Sequence, residues 1–355
     1  MTLKDLGFTE LLENYLKENN LLEFSPGRVM QEHRERYIVS TGENEYDAEI
    51  TGNMRFSATS RTDFPAVGDW VAMKIYEPET AIIHHILPRK TVLERQSISK
   101  PGEKQIISAN VDVAFIFQSI DINFNINRLE RYMTICNSSG IKPVLVISKV
   151  DLADENRIDE ALNTLKSRHP EIPYILLDNF SEEGPERIAG FMKSGLTYCV
   201  AGSSGTGKST LINNLLGRNV LKTQDISHST NKGRHTTEHR ELFILDNGAI
   251  IIDTPGMREL GITESSEGVS NTFKEIHELA MQCKFPDCTH RNEKGCAVVK
   301  ALDEGLIDKD SLENYRRLLR EQEHFSETLA ERRKKDKEFG KMAKRILAEK
   351  KKTKG

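Results

Sequence analysis

The sequence has few cysteines and no long apolar run, and each absence excludes a class of protein. Five cysteines, an odd number in 355 residues, argue against a disulfide framework and leave metal binding or burial as their uses. No apolar stretch approaches the ~20 residues of a membrane helix, and the start, MTLKDLGFTELLENYL, has acidic residues and no apolar segment typical of a signal peptide. We therefore expect a cytoplasmic protein, and its length predicts two or three domains.

An overall excess of positive charge is also missing. The formal net charge is -4, which argues against a general affinity for nucleic acid. Residues 331–355 differ, because they hold twelve Lys or Arg residues against four acidic ones. This segment is a candidate for contact with a polyanion, although a solvated helix with a frayed tail is the alternative interpretation.

Hydrophobic periodicity changes along the first hundred residues. Residues 1–25 predict a short amphipathic helix, with leucines near helical spacing at Leu3, Leu6, Leu11, Leu12 and Leu16. Residues 26–97 alternate with a period of two and give about five short strands between turn residues. This pattern favours a small β-barrel of the oligonucleotide-binding (OB) type, and a β domain that only packs on its neighbour is the alternative.

Residues 98–275 predict an α/β domain. After an expected linker, RQSISKPGEKQIISANVD, the strands VDVAFIFQSI, KPVLVISKVDL, PYILLD and TYCVAG alternate with helices. Such alternation predicts a parallel sheet with right-handed crossovers. RELFILDNGAIIIDTPG predicts an antiparallel pair around residues 246–248. Residues 276–355 are expected to be mostly helical, with a charged helix from about Ser311.

A phosphate-binding loop lies between the last parallel strand and a helix. The segment GSSGTGKS matches G-x-x-x-x-G-K-[ST], whose glycines let backbone N–H groups converge on phosphates. Lys208 would reach the β- and γ-phosphates, and the Ser209 hydroxyl would ligate Mg²⁺. The expected nucleotide contacts of this loop are Gly202, Ser203, Ser204, Gly205, Thr206, Gly207, Lys208, Ser209 and Thr210.

Two further segments predict a sensor of the γ-phosphate. In IIIDTPG, the carboxylate of Asp253 can hold Mg²⁺ through water, and the N–H of Gly256 can approach the γ-phosphate. In NKGRHTTEHREL, either Thr236 or Thr237 can close over Mg²⁺ and the γ-phosphate, and Thr237 is slightly favoured as the magnesium ligand.

The base is predicted from a segment upstream of the phosphate loop. Ser148, Lys149, Val150 and Asp151 stand at a strand end and resemble the guanine motif N-K-x-D. A carboxylate at Asp151 accepts from the ring N–H and the amino group of guanine, a donor pair that adenine lacks.

The cysteines near the C-terminal end predict a metal centre. Cys283, Cys288, His290 and Cys296 supply three thiolates and one imidazole within fourteen residues, a set suited to structural, tetrahedral Zn²⁺. Cys136 and Cys199, on a predicted helix and strand, are expected to be core residues.

The order of these motifs is a circular permutation of the usual GTPase order. With the barrel before them and the cysteines behind, the chain resembles the family of ribosome small-subunit-dependent GTPase A over nearly its whole length, on GSSGTGKST, GRHTT, DTPGMRE and CKFPDCTHRNEKGC. The resemblance implies an OB barrel, a circularly permuted P-loop GTPase domain and a C-terminal zinc domain. It implies GTP hydrolysis coupled to late maturation of the small ribosomal subunit, with GTP, GDP and that subunit's rRNA as partners. We expect a monomer that binds no membrane.

Departures from the family pattern bear on affinity and rate. Ser148 replaces the usual Asn, and Asp178 and Asn179 replace a small Ser-Ala pair, so no base contacts are assigned to the latter two. Met257 stands where many GTPases have a water-orienting Gln, which predicts slow turnover alone and makes His235 the candidate to position water. A surface-loop histidine is the alternative. Two other functions stay open: a zinc-containing rRNA-binding module that uses GTP as a ligand, and a permuted P-loop ATPase or kinase.

Overall fold

The structure is a computed structural model that describes residues 1–33, 35–96, 104–121, 124–221, 240–253 and 267–326. Within these ranges, no helix is both long and apolar enough to cross a membrane. Several predicted functional residues lie outside the described ranges. They are the switch candidates Thr236 and Thr237, His235, Gly256 and the basic segment 331–355.

The N-terminal segment forms a shorter helix than the leucine spacing predicts. Helix α1 covers only Glu10–Glu18, and Gly7 adopts a positive φ of 86° before it. A Cβ at Gly7 would lie 2.8 Å from the carbonyl oxygen of Gly195, so the chain turns there against the body of the protein. Leu12 and Leu16 are buried, whereas Leu11 is 68% exposed and is not part of the core face.

Five strands then form a closed barrel. They are β1 (Ser25–His33), β2 (Arg36–Ser40), β3 (Glu45–Ile50), β4 (Trp70–Glu77) and β5 (Thr80–Ile86), with helix α2 (Gly52–Ser57) between β3 and β4. The strand order is β1-β2-β3-β5-β4, and β4 pairs back onto β1. Only the β3–β5 pair is parallel. The closed five-stranded order confirms the OB-type barrel.

Alternating side chains explain the barrel core. In β3, Tyr46, Ala48 and Ile50 are buried and the residues between them are exposed. The buried side chains pack against Val71 and Ile83 from the facing strands. Because successive side chains of a strand point to opposite faces, this alternation fixes which side of β3 faces the interior.

Strands β6 (Val92–Gln96) and β7 (Lys104–Ala109) pair antiparallel, and β7 lies where the sequence predicts a linker. The linker prediction was therefore wrong for β7. Ile106, Ile107 and Ala109 of β7 are buried against the rest of the protein. The polar stretch RQSISKPGEKQ just before them made the whole segment resemble an exposed linker.

The α/β unit follows the hairpin. Its strands are β8 (Val113–Ser119), β9 (Lys142–Ser148), β10 (Tyr174–Leu177), β11 (Thr197–Gly202), β12 (Glu241–Ile244) and β13 (Ile250–Asp253). Its helices are α3 (Ile126–Ser138), α4 (Glu155–Arg168), α5 (Glu183–Phe191) and α6 (Lys208–Leu216). The order is β10-β9-β8-β11-β13-β12, parallel except for β12, which pairs antiparallel with β13 as predicted. Every residue of β8 is buried, as a strand covered on both faces requires.

Three short helices and one long helix complete the described chain. They are α7 (Glu267–Thr272), α8 (Lys274–Ala280), α9 (Ala297–Asp303) and α10 (Lys309–Ser326). Helix α7 packs closely on α3, because a Cβ at Gly268 would lie 2.8 Å from the carbonyl oxygen of Thr134, and Asn137 donates to Thr272 Oγ1 at 2.9 Å. Cys136 and Cys199 are buried in the core, as predicted.

A buried arginine joins the barrel to the α/β sheet. Arg28, on β1, is 1% exposed and donates to Thr197 Oγ1 at 2.8 Å and to the carbonyl oxygen of Leu6. Burial lowers the pKa of Arg28 to about 10, while Asp112 and Asp69 oppose the shift. The barrel also pairs directly with β12 through Gln31 and Glu241. The two units are thus joined by backbone pairing and by a buried cation.

Candidate nucleotide and metal sites

The phosphate loop leaves β11 and enters α6 at the edge of the sheet where the parallel strands end. Gly202, Gly205 and Gly207 have φ values of 139°, 77° and 88°. A Cβ at Gly202 would lie 2.4 Å from the carbonyl oxygen of Phe117, so only glycine fits at the start of the loop. The loop therefore depends on glycine at positions with positive φ, as a phosphate-binding loop of this motif does.

Two cationic side chains, Lys208 of the loop and Arg128 of α3, contact Ser203. Lys208 Nζ donates to the carbonyl oxygens of Ser203, at 2.6 Å, and Gly202, at 3.1 Å. Arg128, near the start of α3, donates from Nη1 to Ser203 Oγ at 3.2 Å. Sequence reasoning missed Arg128, because nothing in the sequence spacing links it to a loop 75 residues away.

Ser148 contacts the phosphate loop. Its hydroxyl, at the end of β9, is fully buried and donates to the carbonyl oxygen of Thr206 at 2.8 Å. Although serine replaces the usual Asn here, this strand end still contacts the loop. Lys149 follows with φ 62°, and Asp151 lies exposed on a single 3-10 turn, Val150–Leu152. Of the four residues predicted to read guanine, Ser148 thus contacts the phosphate loop directly.

Asp253 ends the strand β13, which is paired to the phosphate-loop strand β11. Its carboxyl is 7% exposed, and burial raises its pKa to about 6 against the opposing attraction of Lys208. A buried carboxylate beside a loop of this kind is suited to act on a cation. The predicted partners in the same sensor, Thr236, Thr237 and Gly256, are outside the described residues.

The four predicted metal ligands come together. Ligand atoms of Cys283, Cys288, His290 and Cys296 all lie within 4.8 Å of one another. Cys283 Sγ is 3.5 Å from His290 Nδ1 and 3.7 Å from Cys296 Sγ, and His290 Nδ1 is 3.5 Å from Cys296 Sγ. His290 itself has a φ of 58°, in the left-handed region that a residue with a side chain adopts rarely. This group can hold a metal ion.

Helix α10 connects the cysteine-bearing region to the α/β unit. Glu130 of α3 is fully buried and accepts from Arg168 at 3.3 Å, from His169 at 3.0 Å and from Asn314 of α10. One residue further, Arg131 donates to Glu321 of α10 at 2.6 Å. Arg316 donates to the carbonyl oxygen of His290. The turn that carries His290 is therefore fixed to helix α3 through α10.

Comparisons with known proteins agree with this arrangement. A family model described as RsgA GTPase matches residues 86–263. The small ribosomal subunit biogenesis GTPase RsgA of Opitutus terrae is 39% identical over 335 residues, which are 91% of this chain and 90% of the relative. Its namesake from Methanosarcina acetivorans is 45% identical over 257 residues, 72% of this chain and 69% of the relative.

Solved structures share the fold. YjeQ from Thermotoga maritima has a TM-score of 0.65 at 25% identity, over 84% of this chain and 98% of that protein. YloQ, described as a circularly permuted GTPase, has a TM-score of 0.62 at 21% identity, over 86% of this chain and 96% of that protein. The permuted order of motifs, the strand order and these matches over most of the sequence agree, and the chain belongs to the RsgA GTPase family.

Proposed function

We propose that this protein is a Mg²⁺-dependent GTPase that binds the small ribosomal subunit and couples GTP hydrolysis to late maturation of that subunit. The observation that carries the proposal is the contact between Ser148 and the carbonyl oxygen of Thr206, because it joins a guanine-type strand end to a phosphate loop. Relatives named for small-subunit biogenesis, similar over most of both chains, support the ribosomal part. The reaction takes place in the cytoplasm.

The nucleotide lies along the edge formed by β9, β11 and β13. The backbone of residues 202–207 and Lys208 hold the phosphates, and Ser209 with Thr237 holds Mg²⁺. When bound, Mg²⁺ neutralises charge on the β- and γ-phosphates. Asp253, at the end of β13, acts on that ion through water, and its burial supports the assignment because a nearby cation offsets the cost of an ionised buried carboxylate.

Guanine is selected by Asp151. The exposed carboxylate next to the β9 strand end is free to accept from two donors on the base. Asp151→Asn should therefore transfer preference from GTP to xanthosine triphosphate, by a factor of about 10⁴ in the ratio of affinities. Binding of the labelled nucleotides measures the ratio, and a variant that still prefers GTP would remove Asp151 from base recognition.

The Cys3His group binds one structural zinc ion. Tetrahedral zinc, with Zn–S of about 2.3 Å and Zn–N of about 2.0 Å, places two sulfurs about 3.8 Å apart and a sulfur and a nitrogen about 3.5 Å apart. The observed separations, 3.7 Å between Cys283 and Cys296 and 3.5 Å from each to His290, fit that geometry. All four positions are taken by side chains, so the ion stabilises the fold and has no open position for water.

Hydrolysis is slow without the ribosomal subunit and is stimulated on it. Met257 cannot orient water, so His235 has that role beside Thr236 and Thr237. GTP turnover measured with and without purified small subunits tests the proposal, and we expect stimulation of about 10²-fold or more, since a group supplied in trans to a GTPase is worth ~10³ to 10⁵. Negligible turnover in both conditions would favour an rRNA-binding module with GTP as ligand. Equal competition by ATP would favour an ATPase or kinase.

Two surfaces are candidates for rRNA. On the barrel, Phe56 of α2 is 91% exposed next to Arg55, a pairing of ring and cation that suits an unstacked base. The Lys-rich residues 331–355 supply phosphate contacts. Removing residues 331–355 should weaken subunit binding and flatten its dependence on salt, while Phe56→Ala should weaken binding without changing that dependence.

The nucleotide state is transmitted to the zinc region. The chain from Asp253 reaches α7 after thirteen residues, and α7 packs on α3 at Gly268. A shift at Gly256 that depends on the γ-phosphate thus has a short covalent path to the cysteine-bearing module. Identical small-angle scattering of the GDP form and the GTP-analogue form would argue against a large movement.

A further inference from the structure

The turn after β10 makes a contact with the phosphate loop that the sequence motifs do not contain. Asn179 Nδ2 donates to the carbonyl oxygen of Gly207 at 3.0 Å. A carbonyl oxygen can only accept, so the amide nitrogen is the end of the side chain that faces Gly207. A Cβ at Gly207 would lie 2.4 Å from that nitrogen, so the loop residue must be glycine for the amide to come this close.

Ser148 makes the neighbouring contact from the next strand. Its hydroxyl donates to Thr206, and the amide of Asn179 donates to Gly207, so two consecutive loop carbonyls are held by two adjacent strand ends. Ser148 pairs with Leu177 in the parallel register of β9 and β10, which places the two donors side by side. In the usual N-K-x-D pattern, an amide stands at the position of Ser148.

The turn itself is held on both sides. Asn214 of α6 donates to the carbonyl oxygen of Asn179 at 2.8 Å, and Ser181 donates to that of Asp178 at 3.2 Å. A Cβ at Gly184 would lie 1.8 Å from the Asp178 carbonyl oxygen, so α5 starts tightly against the turn. The amide is therefore positioned before any ligand arrives. Its Oδ1 is buried and has no hydrogen-bond partner among the described residues.

We infer that Asn179 is a positioning residue of the nucleotide site and supplies, from the turn after β10, the amide that Ser148 lacks. The small hydroxyl of Ser148 reaches only Thr206, and Asn179 takes over the tether to Gly207, the residue before the phosphate-binding Lys208. The inference rests on the proposed GTP site. It explains how a chain with serine in the guanine motif keeps the phosphate loop fixed against the base-binding edge.

Nucleotide affinity of four variants of the full-length protein tests the inference. With fluorescent GDP and a fluorescent non-hydrolysable GTP analogue, Asn179→Ala should weaken binding about tenfold, since the Gly207 carbonyl loses its donor. Asn179→Asp, which keeps the size but places an acceptor against a carbonyl, should weaken it further. Ser148→Asn together with Asn179→Ala should recover most of the loss. Asn247→Ala removes a similar amide from the Ala189 carbonyl oxygen, at 3.1 Å and far from the loop, and should leave affinity unchanged.

Binding of nucleotides with different bases distinguishes the role of Asn179 from the proposed GTP specificity of the site. Asn179 contacts the loop and not the base, so Asn179→Ala should weaken GTP and inosine triphosphate by the same factor, whereas Asp151→Asn should change their ratio. Wild-type affinity within about twofold for both Asn179→Ala and Asn179→Asp would overturn the inference while leaving the GTP site intact. A wild-type protein without preference for GTP over ATP would overturn the proposed function instead. Thermal unfolding of each variant shows whether a loss of affinity reflects a loss of fold.

Discussion

Replacing Asp253 by Asn should stabilise the nucleotide-free protein at neutral pH. Asp253 is nearly fully buried, and burial raises the pKa of its carboxyl from 3.8 to about 6. In the unfolded chain the group titrates near 3.8, so between the two values the folded state binds the extra proton. The free energy of unfolding therefore falls as pH rises through this window.

The size of the effect follows from the shift. A difference of about 2 pH units between folded and unfolded pKa values corresponds to about 3 kcal/mol lost once the pH is above both, because one unit is worth about 1.4 kcal/mol. Asn has the same shape and no charge to desolvate. We therefore expect Asp253→Asn to exceed the wild type by up to about 3 kcal/mol at pH 7.5, and by close to nothing below pH 4.

Urea unfolding of both proteins between pH 4 and pH 8, without added Mg²⁺ and without nucleotide, measures the difference. The variant should also fail to hydrolyse GTP, because a neutral amide cannot replace the negative carboxylate near Mg²⁺. Asp253 would then be a residue that lowers stability but is needed for activity. A variant that is no more stable than the wild type at pH 7.5, or a stability difference that does not change with pH, would refute the reasoning.

Three further perturbations test other parts of the structure. Arg28→Leu should lower the free energy of unfolding by about 2 to 4 kcal/mol, because the Thr197 hydroxyl and buried carbonyls lose their donor, and urea unfolding measures it. Cys283→Ser should lose the bound zinc, measured by metal analysis of the purified protein, and chelation of the wild type should lower its melting temperature. His235→Ala should keep GTP affinity and lose stimulated turnover, and unchanged stimulation by small subunits would exclude His235 from the mechanism.

Local patterns predicted those features that depend on neighbours in sequence. The glycines and Lys208 of the phosphate loop, the alternation in β3 and the antiparallel pair β12–β13 each follow from short-range chemistry, and the structure has the same strands and the same loop. The helix α1 was predicted too long because leucine spacing continues through Gly7, where the chain turns. Strand β7 was predicted as linker because its burial comes from packing on other elements.

The sequence by itself determined the phosphate loop and the order of motifs typical of a permuted GTPase, and it predicted a carboxylate to read the base and a Cys3His group that can hold a metal ion. Only the tertiary structure decided how these parts are fixed to one another. Asn179 reaches Gly207, Arg28 reaches Thr197, and Glu130 reaches Asn314 across separations of 28, 169 and 184 residues. No periodicity or motif relates such positions, because each contact depends on how separate elements pack, and a buried donor or acceptor is satisfied by whichever partner that packing brings near.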